Sequence, residues 1–521
     1  MLFARFKNIK FAIFLILVLT AVFFRFWKIK DYVVFLGDEG RDMLVMRRMI
    51  VEKRLTFLGP TASVGGFYLG PIYYWMGAPF LFIWRYDPVG PAYMVATIGV
   101  LTVLLLFKFL DETAGYWPAI LSGFLYATAP LVVRYSRSSW NPNPLPFFAL
   151  LLFYFLFKGI KQRKVIYFFL AGGCFGIVIQ LHYLATILLF LAALAVLVNA
   201  SFKKWPIYIL AGSIGSIVTF SPFLVFEIKN HFPNFKTIWE FVTRETTVGY
   251  KTTNFVWQAS NIGNILLEFL SKFEKTILTK FFWWFLALGG LYGLARNWKL
   301  GEKKLIFSIG LIWFLGGLLG ARFYAGQLFD YYFGFMFPAP FLLFGLTISL
   351  IWSIKVVRPL IILFTAVTLI WFINNSFFKK PPTRLLTLDW FLYKREFRLE
   401  PNRLIDQTET VADFVIEKTE NLPYNFALIS DHNSDHAYRY FLEINNYKPT
   451  DLETLVTDQL LVVCESKKCA SLGHPSWEIA GFGRGEIAGE WELPDIGIKV
   501  LKLTHWPGAP NPAGKPAVKG I

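Results

Sequence analysis

The sequence predicts an α-helical polytopic membrane protein with a small C-terminal α/β extracytoplasmic domain. Three observations predict it. Hydrophobic residues are 55% and aromatic residues 19% of the 521, with a mean hydropathy of +0.48; a soluble globular protein averages about 45–50% apolar. Apolar runs near twenty residues recur along most of the chain, and each can cross a hydrocarbon core roughly 30 Å thick. The net charge is +17, and many of the basic residues lie in short loops between those runs. That is the positive-inside pattern of a membrane protein, so the charge reports topology and not a nucleic-acid partner.

The runs place spans at 11–27, 89–109, 115–133, 144–158, 165–180, 184–200, 206–225, 278–295, 304–320, 333–354 and 358–375. The first lacks a small-x-small cleavage site and reads as a retained span. The loops "KGIKQRK" (158–164), "FKKW" (202–205), "RNWKLGEKK" (296–304) and "KVVR" (355–358) are basic. Eleven spans put all four on one side with the N-terminus, which makes that side the cytoplasm. The segment "GFYLGPIYYWMGAPFLFIW" (66–84) is apolar, but it carries Pro71, Pro79 and many interfacial aromatics. It reads as juxtamembrane or re-entrant, because counting it as a span would put "KGIKQRK" outside.

This divides the chain into a transmembrane domain (1–375) with a long first outer loop (28–88), an extracytoplasmic α/β domain (376–505) and a disordered tail (506–521). In the α/β domain "TVADFVIEKTE" (410–420) has helical periodicity. "NFALIS" (425–430), "QLLVVCE" (459–465) and "IGIKVLKLTH" (496–505) read as strands. The tail "WPGAPNPAGKPAVKGI" has no apolar periodicity. Of three cysteines, Cys174 lies in an apolar run. Cys464 and Cys469 are a weak zinc signal and fit a local disulfide if that region is outside.

The chemistry-bearing residues gather on the outer side. "GDEGRD" (37–42) follows the first span with adjacent carboxylates Asp38 and Glu39. Such an acid, partly shielded from water, can act as a general base; Asp38 ahead of a helix also fits ordinary N-capping. Arg41 fits a phosphate contact or a surface anchor. "RYSRSSWNPNP" (134–144) holds Arg137, Trp140 and Asn141 before a proline-forced turn. Its arginines suit phosphate oxygens, or anchor a span end at the interface. "QLHYLA" (180–185) places Gln180, His182 and Tyr183 in a break between apolar runs, where polar groups are costly. A hydrogen-bonded packing role fits His182 as well. "ARFYAGQLFDYYF" (321–333) carries Arg322, Tyr324, Gln327, Asp330, Tyr331 and Tyr332. That set suits a sugar-phosphate site or an aromatic belt. Glu227, Lys229 and His231 begin the large outer loop. No Walker loop, HExxH, dinucleotide fingerprint or outer-loop DxD is present. No cofactor and no tight metal site is indicated, which leaves room for a loosely held divalent metal.

The ordered set "GDEGRD", "GPIYYWMGAP", "SRSSWNPNPLP" and "FDYYFGFMFP" resembles the GT-C superfamily of membrane glycosyltransferases, in its protein mannosyltransferase and aminoarabinose transferase branch. The resemblance covers roughly residues 1–375. It implies a GT-C-like fold and transfer of a sugar from a polyprenyl-phosphate donor on the outer face of the cytoplasmic membrane. The acceptor hydroxyl would belong to a protein, lipid or glycan. Asp38 would deprotonate or orient that hydroxyl for inverting attack at the anomeric carbon, with Glu39 supporting it. Arg137, His182, Arg322 and Tyr332 would be the candidates for the lipid phosphate. Arg41, Trp140, Asn141, Tyr183 and Tyr331 would complete the substrate contacts. The chain departs from the family in lacking a second acid in the 134–144 loop. The alternative is a transporter or flippase of lipid-linked sugars, which would more often show paired repeats and broken midplane helices. A third reading is a non-catalytic membrane protein whose tail binds a cell-wall partner.

Overall fold

Helices occupy each of the eleven runs expected to span the membrane. The computed structural model describes residues 2–62, 65–244, 262–263, 266–267, 270, 277–322, 329–377, 403–431, 433–466 and 469–517. It opens with α1 (Leu2–Phe26), α2 (Gly37–Val51), α3 (Ile72–Ile83) and α4 (Val89–Ala114). Pro130 interrupts the next run, giving α5 (Tyr116–Thr128) and α6 (Pro130–Tyr135). Then come α7 (Leu145–Gln162), α8 (Val165–Leu181), α9 (Ile187–Asn199), α10 (Trp205–Lys229), α11 (Pro233–Arg244) and α12 (Ile277–Arg296). A π turn separates α13 (Gly301–Leu311) from α14 (Gly317–Ala321), and α15 (Pro338–Ile351) and α16 (Val357–Phe377) complete the bundle.

Among the described residues, five helices are long and apolar enough to cross a membrane alone, and the bent pair Asp330–Met336 and Pro338–Ile351 makes a sixth. The other runs expected to span are helical too, but shorter, interrupted or less apolar. α3 has twelve residues and packs on α2 and α4, too short at ~1.5 Å per residue to cross a ~30 Å core. The outward faces of α10 and α16 carry exposed Ile, Leu and Val, as helices facing lipid do. α8 and α10 pack through small residues: Ser216 Oγ donates to Gly172 O at 2.9 Å and Thr219 Oγ1 to Gly173 O at 3.0 Å. Hydroxyls bonding across such a close contact are a common way to join helices in lipid.

The two ends of the bundle differ. At one end the basic segments meet acids, Lys158 with Glu112 and Lys161 with Glu302. At the other end lie α2, α3, the α6–α7 turn, the α8–α9 break, the 330–336 turn and the C-terminal domain.

That domain is an α/β unit built on one four-stranded sheet in the order β1-β2-β4-β3. β1 (Asn425–Ile429) and β2 (Gln459–Cys464) are parallel, and β4 (Ile498–His505) is antiparallel to β2 and to β3 (Gly485–Leu493). The sequence reading missed β3, because this edge strand is mostly exposed and its apolar alternation is broken by glutamates. Helices α17 (Leu404–Thr419) and α18 (His436–Ile444) pack together on the sheet, followed by α19 (Trp477–Ala480). Cys464 and Cys469 form a disulfide at the end of β2.

The expected disordered tail is a correction for its described part. Residues 506–517 run against the domain: Val456 N–H donates to Lys515 O at 2.9 Å and Ala517 N–H to Leu452 O at 2.8 Å. An extended, proline-rich segment shows no apolar period, yet its carbonyls still accept from a neighbouring backbone.

The domain docks on the first loop. Arg403 N–H donates to Asp31 O at 3.0 Å, and Tyr440 OH to Tyr86 O at 2.6 Å. Lys30 pairs with Asp406 at 3.0 Å and Arg47 with Glu443 at 3.7 Å. The Phe35 ring lies edge-on against Tyr440 and Phe441.

Candidate active site

Site geometry begins with the two glycines of "GDEGRD". A Cβ at Gly37 would stand 1.9 Å from Ser434 Oγ, and one at Gly40 would stand 2.3 Å from Ala437 N. The glycines therefore serve a close approach: α2 begins pressed against α18. The helix starts at Gly37, so Asp38 lies in its first turn and is not its N-cap. Glu39 does the capping instead, its Oε2 accepting from Leu36 N–H at 3.1 Å. Burial, then the neighbouring Asp38 charge, push the Glu39 carboxyl up to about 8. It faces inward and does not line the pocket described below, so the acceptor-supporting role expected of it has no direct contact there.

Asp38 is the exposed partner, with 53% of its side chain accessible. Arg41 Nη1 donates to Asp38 Oδ1 at 3.0 Å. The same guanidinium donates through Nε and Nη2 to Asp42 Oδ1, at 3.1 and 2.9 Å. Asp42 is fully buried and also accepts from Tyr74 OH at 2.8 Å; burial pushes its carboxyl up to about 6, against the pull of Arg41. Arg41 is thus held between a buried acid and an exposed one.

Asp38 and Arg41 open onto a pocket of about 430 Å³, its mouth included, with Thr61, Ala62 and Leu69 of the first loop on one side. Trp140, Asn141 and Pro142 form a second side, His182 and Tyr183 a third, Tyr331 and Tyr332 a fourth. Each comes from a break between helices, and each break is fastened. Pro142 and Pro144 turn the chain into α7 with Asn143 N–H donating to Trp140 O at 3.0 Å. Asn141 Nδ2 donates to Leu181 O at 2.7 Å, tying that turn to the end of α8. Asp330 accepts from Tyr135 OH at 2.5 Å and from Tyr331 N–H at 2.8 Å, which fixes the 330–336 turn on α6. Trp313 Nε1 donates to Phe335 O at 2.9 Å and steadies its other end. The rings then meet: Trp140 and Tyr331 at 4.5 Å, His182 and Tyr332 at 4.9 Å, His182 and Tyr183 stacked at 5.2 Å. Asp330, Tyr135 and Asp42 were not singled out for these supporting roles; an acid after an aromatic run was a usable signal for Asp330.

His182 lies just beyond α8. Its Nδ1 accepts from Leu184 N–H at 3.3 Å, and burial pushes the ring down to about 4. The imidazole is therefore neutral near pH 7 and offers an Nε2–H donor, not a positive charge. Among the described residues lining the pocket, Arg41 is the cation.

Several expected substrate-side residues lie elsewhere. Arg137 is a correction: it is buried, donating to Phe24 O at 2.7 Å and Trp27 O at 2.6 Å, with Tyr32 over its guanidinium at 4.5 Å. It bonds the end of α1, the anchoring reading. Arg322 is buried at the end of α14 and does not line the pocket; Tyr324 and Gln327 lie outside the described residues. Glu227 is buried and accepts from Asn234 Nδ2 at 2.7 Å, fastening α11 to α10. Gln180 donates to Gly176 O and Thr219 O, a packing role. Among the described residues no group of three or more His, Cys, Asp or Glu is placed to hold a metal.

The family model described as dolichyl-phosphate-mannose-protein mannosyltransferase matches residues 70–226. No curated protein matches the chain. Among solved structures, ArnT from Cupriavidus metallidurans bound to undecaprenyl phosphate is similar at 13% identity and a TM-score of 0.58, covering 94% of this chain and 97% of that one. Its apo state is similar at 12% identity and TM-score 0.56, covering 96% and 98%. The Archaeoglobus fulgidus oligosaccharyltransferase in its apo form is similar at 12% identity and TM-score 0.51, covering 96% of this chain and 75% of that one. The chain has the fold of the GT-C membrane glycosyltransferases.

Proposed function

We propose that the protein transfers a sugar from a polyprenyl-phosphate donor to an acceptor hydroxyl at the outer face of the cytoplasmic membrane, with Asp38 as the base. The observation that carries this reading is the pocket itself. The first turns of α2 and four breaks between helices bring a half-exposed carboxylate, one guanidinium and a wall of aromatic hydroxyls together. ArnT, similar in fold over nearly its whole length, binds undecaprenyl phosphate, which supports a lipid-phosphate donor here.

The chemistry follows from the charges. Arg41 occupies Asp38 Oδ1, leaving Oδ2 to accept the proton of the acceptor hydroxyl. The freed oxygen lone pair attacks the anomeric carbon, the bond from that carbon to the phosphate oxygen breaks with its electron pair, and the sugar inverts. Charge then develops on the phosphate, and donors aimed at it lower the barrier. Arg41, His182 Nε2–H and the Tyr331 and Tyr332 hydroxyls, which line the pocket, would supply them. The aromatic faces of Trp140 and Tyr183 suit the apolar face of a sugar ring.

The test uses purified protein in lipid nanodiscs with undecaprenyl- and dolichyl-phosphoryl donors carrying several sugars, against peptide, lipid and glycan acceptors. Asp38→Asn abolishes transfer while the protein still inserts and folds, and the product carries the opposite anomeric configuration to the donor. Near-normal transfer by Asp38→Asn would refute the base. If no donor supports transfer, the transport reading takes its place.

A further inference from the structure

The amide that opens α2 is bonded by the C-terminal domain. Gly37 N–H donates to Asn433 Oδ1 at 2.9 Å, across 396 residues of sequence. That oxygen also accepts from Ser434 N–H at 2.9 Å. Asn433 Nδ2 in turn donates to Glu465 Oε1 at 2.9 Å, and the same oxygen accepts from Tyr438 OH at 2.8 Å. Glu465 is anchored to the sheet, its N–H donating to Ile429 O at 2.9 Å, and it follows disulfide-bonded Cys464. Asn433 therefore links the rigid end of a parallel strand pair to the residue before Asp38.

The first N–H groups of a helix have no partner within it, so what they bond sets where the first turn lies. The domain has other ties to the first loop, at Asp31, Lys30, Arg47 and Tyr86. Docking as a whole does not depend on Asn433. Its particular contribution is at the turn that carries Asp38, where Gly37 and Gly40 let the two surfaces approach closer than a Cβ would allow.

We propose that Asn433 is a positioning residue for sugar transfer: through Gly37 N–H it sets the height of the first turn of α2, and so places the Asp38 carboxylate against the aromatic wall of the pocket. This rests on the reading of Asp38 as the base. A misplacement of about 1 Å at a reacting group can cost roughly 100-fold in rate.

The experiment uses the full chain in nanodiscs, with undecaprenyl-phosphoryl mannose tried first and then the other donors of the panel, and with undecaprenyl phosphate as the binding probe. Asn433→Ala lowers kcat roughly 10- to 100-fold, with the donor KM and undecaprenyl phosphate binding close to wild type. The double variant N433D/E465Q exchanges acceptor and donor. Its new carboxylate accepts from Gly37 N–H and from the new side-chain amide nitrogen, whose second hydrogen is donated to the Tyr438 hydroxyl oxygen. It restores kcat, whereas N433D alone, facing Glu465 with a second carboxylate, does not. Asn425→Ala is the structural control. It removes bonds to Thr450, Leu455 and Thr457 inside the same domain, and it lowers the melting temperature without the selective loss of kcat. Wild-type kcat in N433A, no recovery in the exchange variant, or an equal kcat loss in N425A at matched melting temperature would overturn the proposal. Activity in Asp38→Asn, or no turnover with any donor, removes the base reading and the proposal with it. An inactive Asp38→Asn beside a normal N433A overturns the positioning role alone.

Discussion

Glu39→Gln separates a buried acid from a working one. Burial and the Asp38 charge raise the Glu39 carboxyl from its ordinary 4.5 to about 8. At pH 7 about nine in ten of these groups are therefore protonated. A glutamine imitates that neutral form and keeps an oxygen for Leu36 N–H. The sign of the linkage follows from the raised value. The folded protein holds this proton more tightly than the unfolded chain, so the stabilisation is complete below pH 4.5 and is lost as pH rises through about 8. The slope is about 1.4 kcal/mol per pH unit, and the total about 5 kcal/mol. Chemical unfolding of the nanodisc- or detergent-held protein, from about pH 5 to 9, reads this directly. The wild type loses stability with rising pH, and Glu39→Gln lacks that component, so it is the more stable protein at about pH 9. Transfer at pH 7 is close to wild type in the variant. Parallel stability curves for the two proteins would refute the burial argument. A stable Glu39→Gln with transfer reduced more than about tenfold, on the order of 1.4 kcal/mol in the barrier, would show that Glu39 acts as an anion.

Three other outcomes follow from the geometry. Gly40→Ala places a methyl within 2.3 Å of the α18 backbone, so it destabilises by about 1–3 kcal/mol and loosens the C-terminal domain, read by melting temperature and by limited proteolysis in that domain. Arg137→Met removes the guanidinium bonds to Phe24 O and Trp27 O and destabilises the protein by about 1–3 kcal/mol; donor KM stays near wild type in the fraction that folds, and a selective rise in KM would return Arg137 to the phosphate site. Breaking the disulfide with Cys464→Ser and Cys469→Ser frees a short loop, of sequence separation 5, and costs the domain about 2 kcal/mol by loop-entropy reasoning, measured as the melting difference between the variant and the oxidised protein.

The bundle was legible because lipid makes a simple demand. A span needs a long apolar run with its backbone paired internally, and the expected spans are helical among the described residues. The pocket residues were legible for the complementary reason: Asp38, Trp140, His182 and Tyr332 are costly or unusual groups at the ends of those runs. Their supports were harder to see. Asp42 reads as one more charged residue on an amphipathic helix, and only its burial beneath Arg41 and Tyr74 shows that it holds the guanidinium. Asp38 and Glu39 are adjacent and chemically alike, so the sequence could not say which turns inward to cap. Arg137 carried two readings, and its bonds to Phe24 O and Trp27 O at the end of α1 fit the anchoring one. The glycines of "GDEGRD" looked like turn residues because their true neighbours, Ser434 and Ala437, lie as far along the chain as the 396-residue Gly37–Asn433 separation implies. β3 hid for a different reason: a solvated edge strand has no apolar pattern to show.

The bond between Gly37 and Asn433 also orders events during synthesis. A ribosome adding about 5–20 residues per second takes roughly 20–80 s to pass from one to the other, since 396 residues separate them. Throughout that interval α2 has already been delivered to the membrane surface with its first amide open to water and its two glycines facing nothing. The pocket acquires its finished geometry only when the last-made sheet closes over the first-made loop. A chain stopped before Asn433 thus carries the acid and the aromatic wall without the amide oxygen that bonds Gly37.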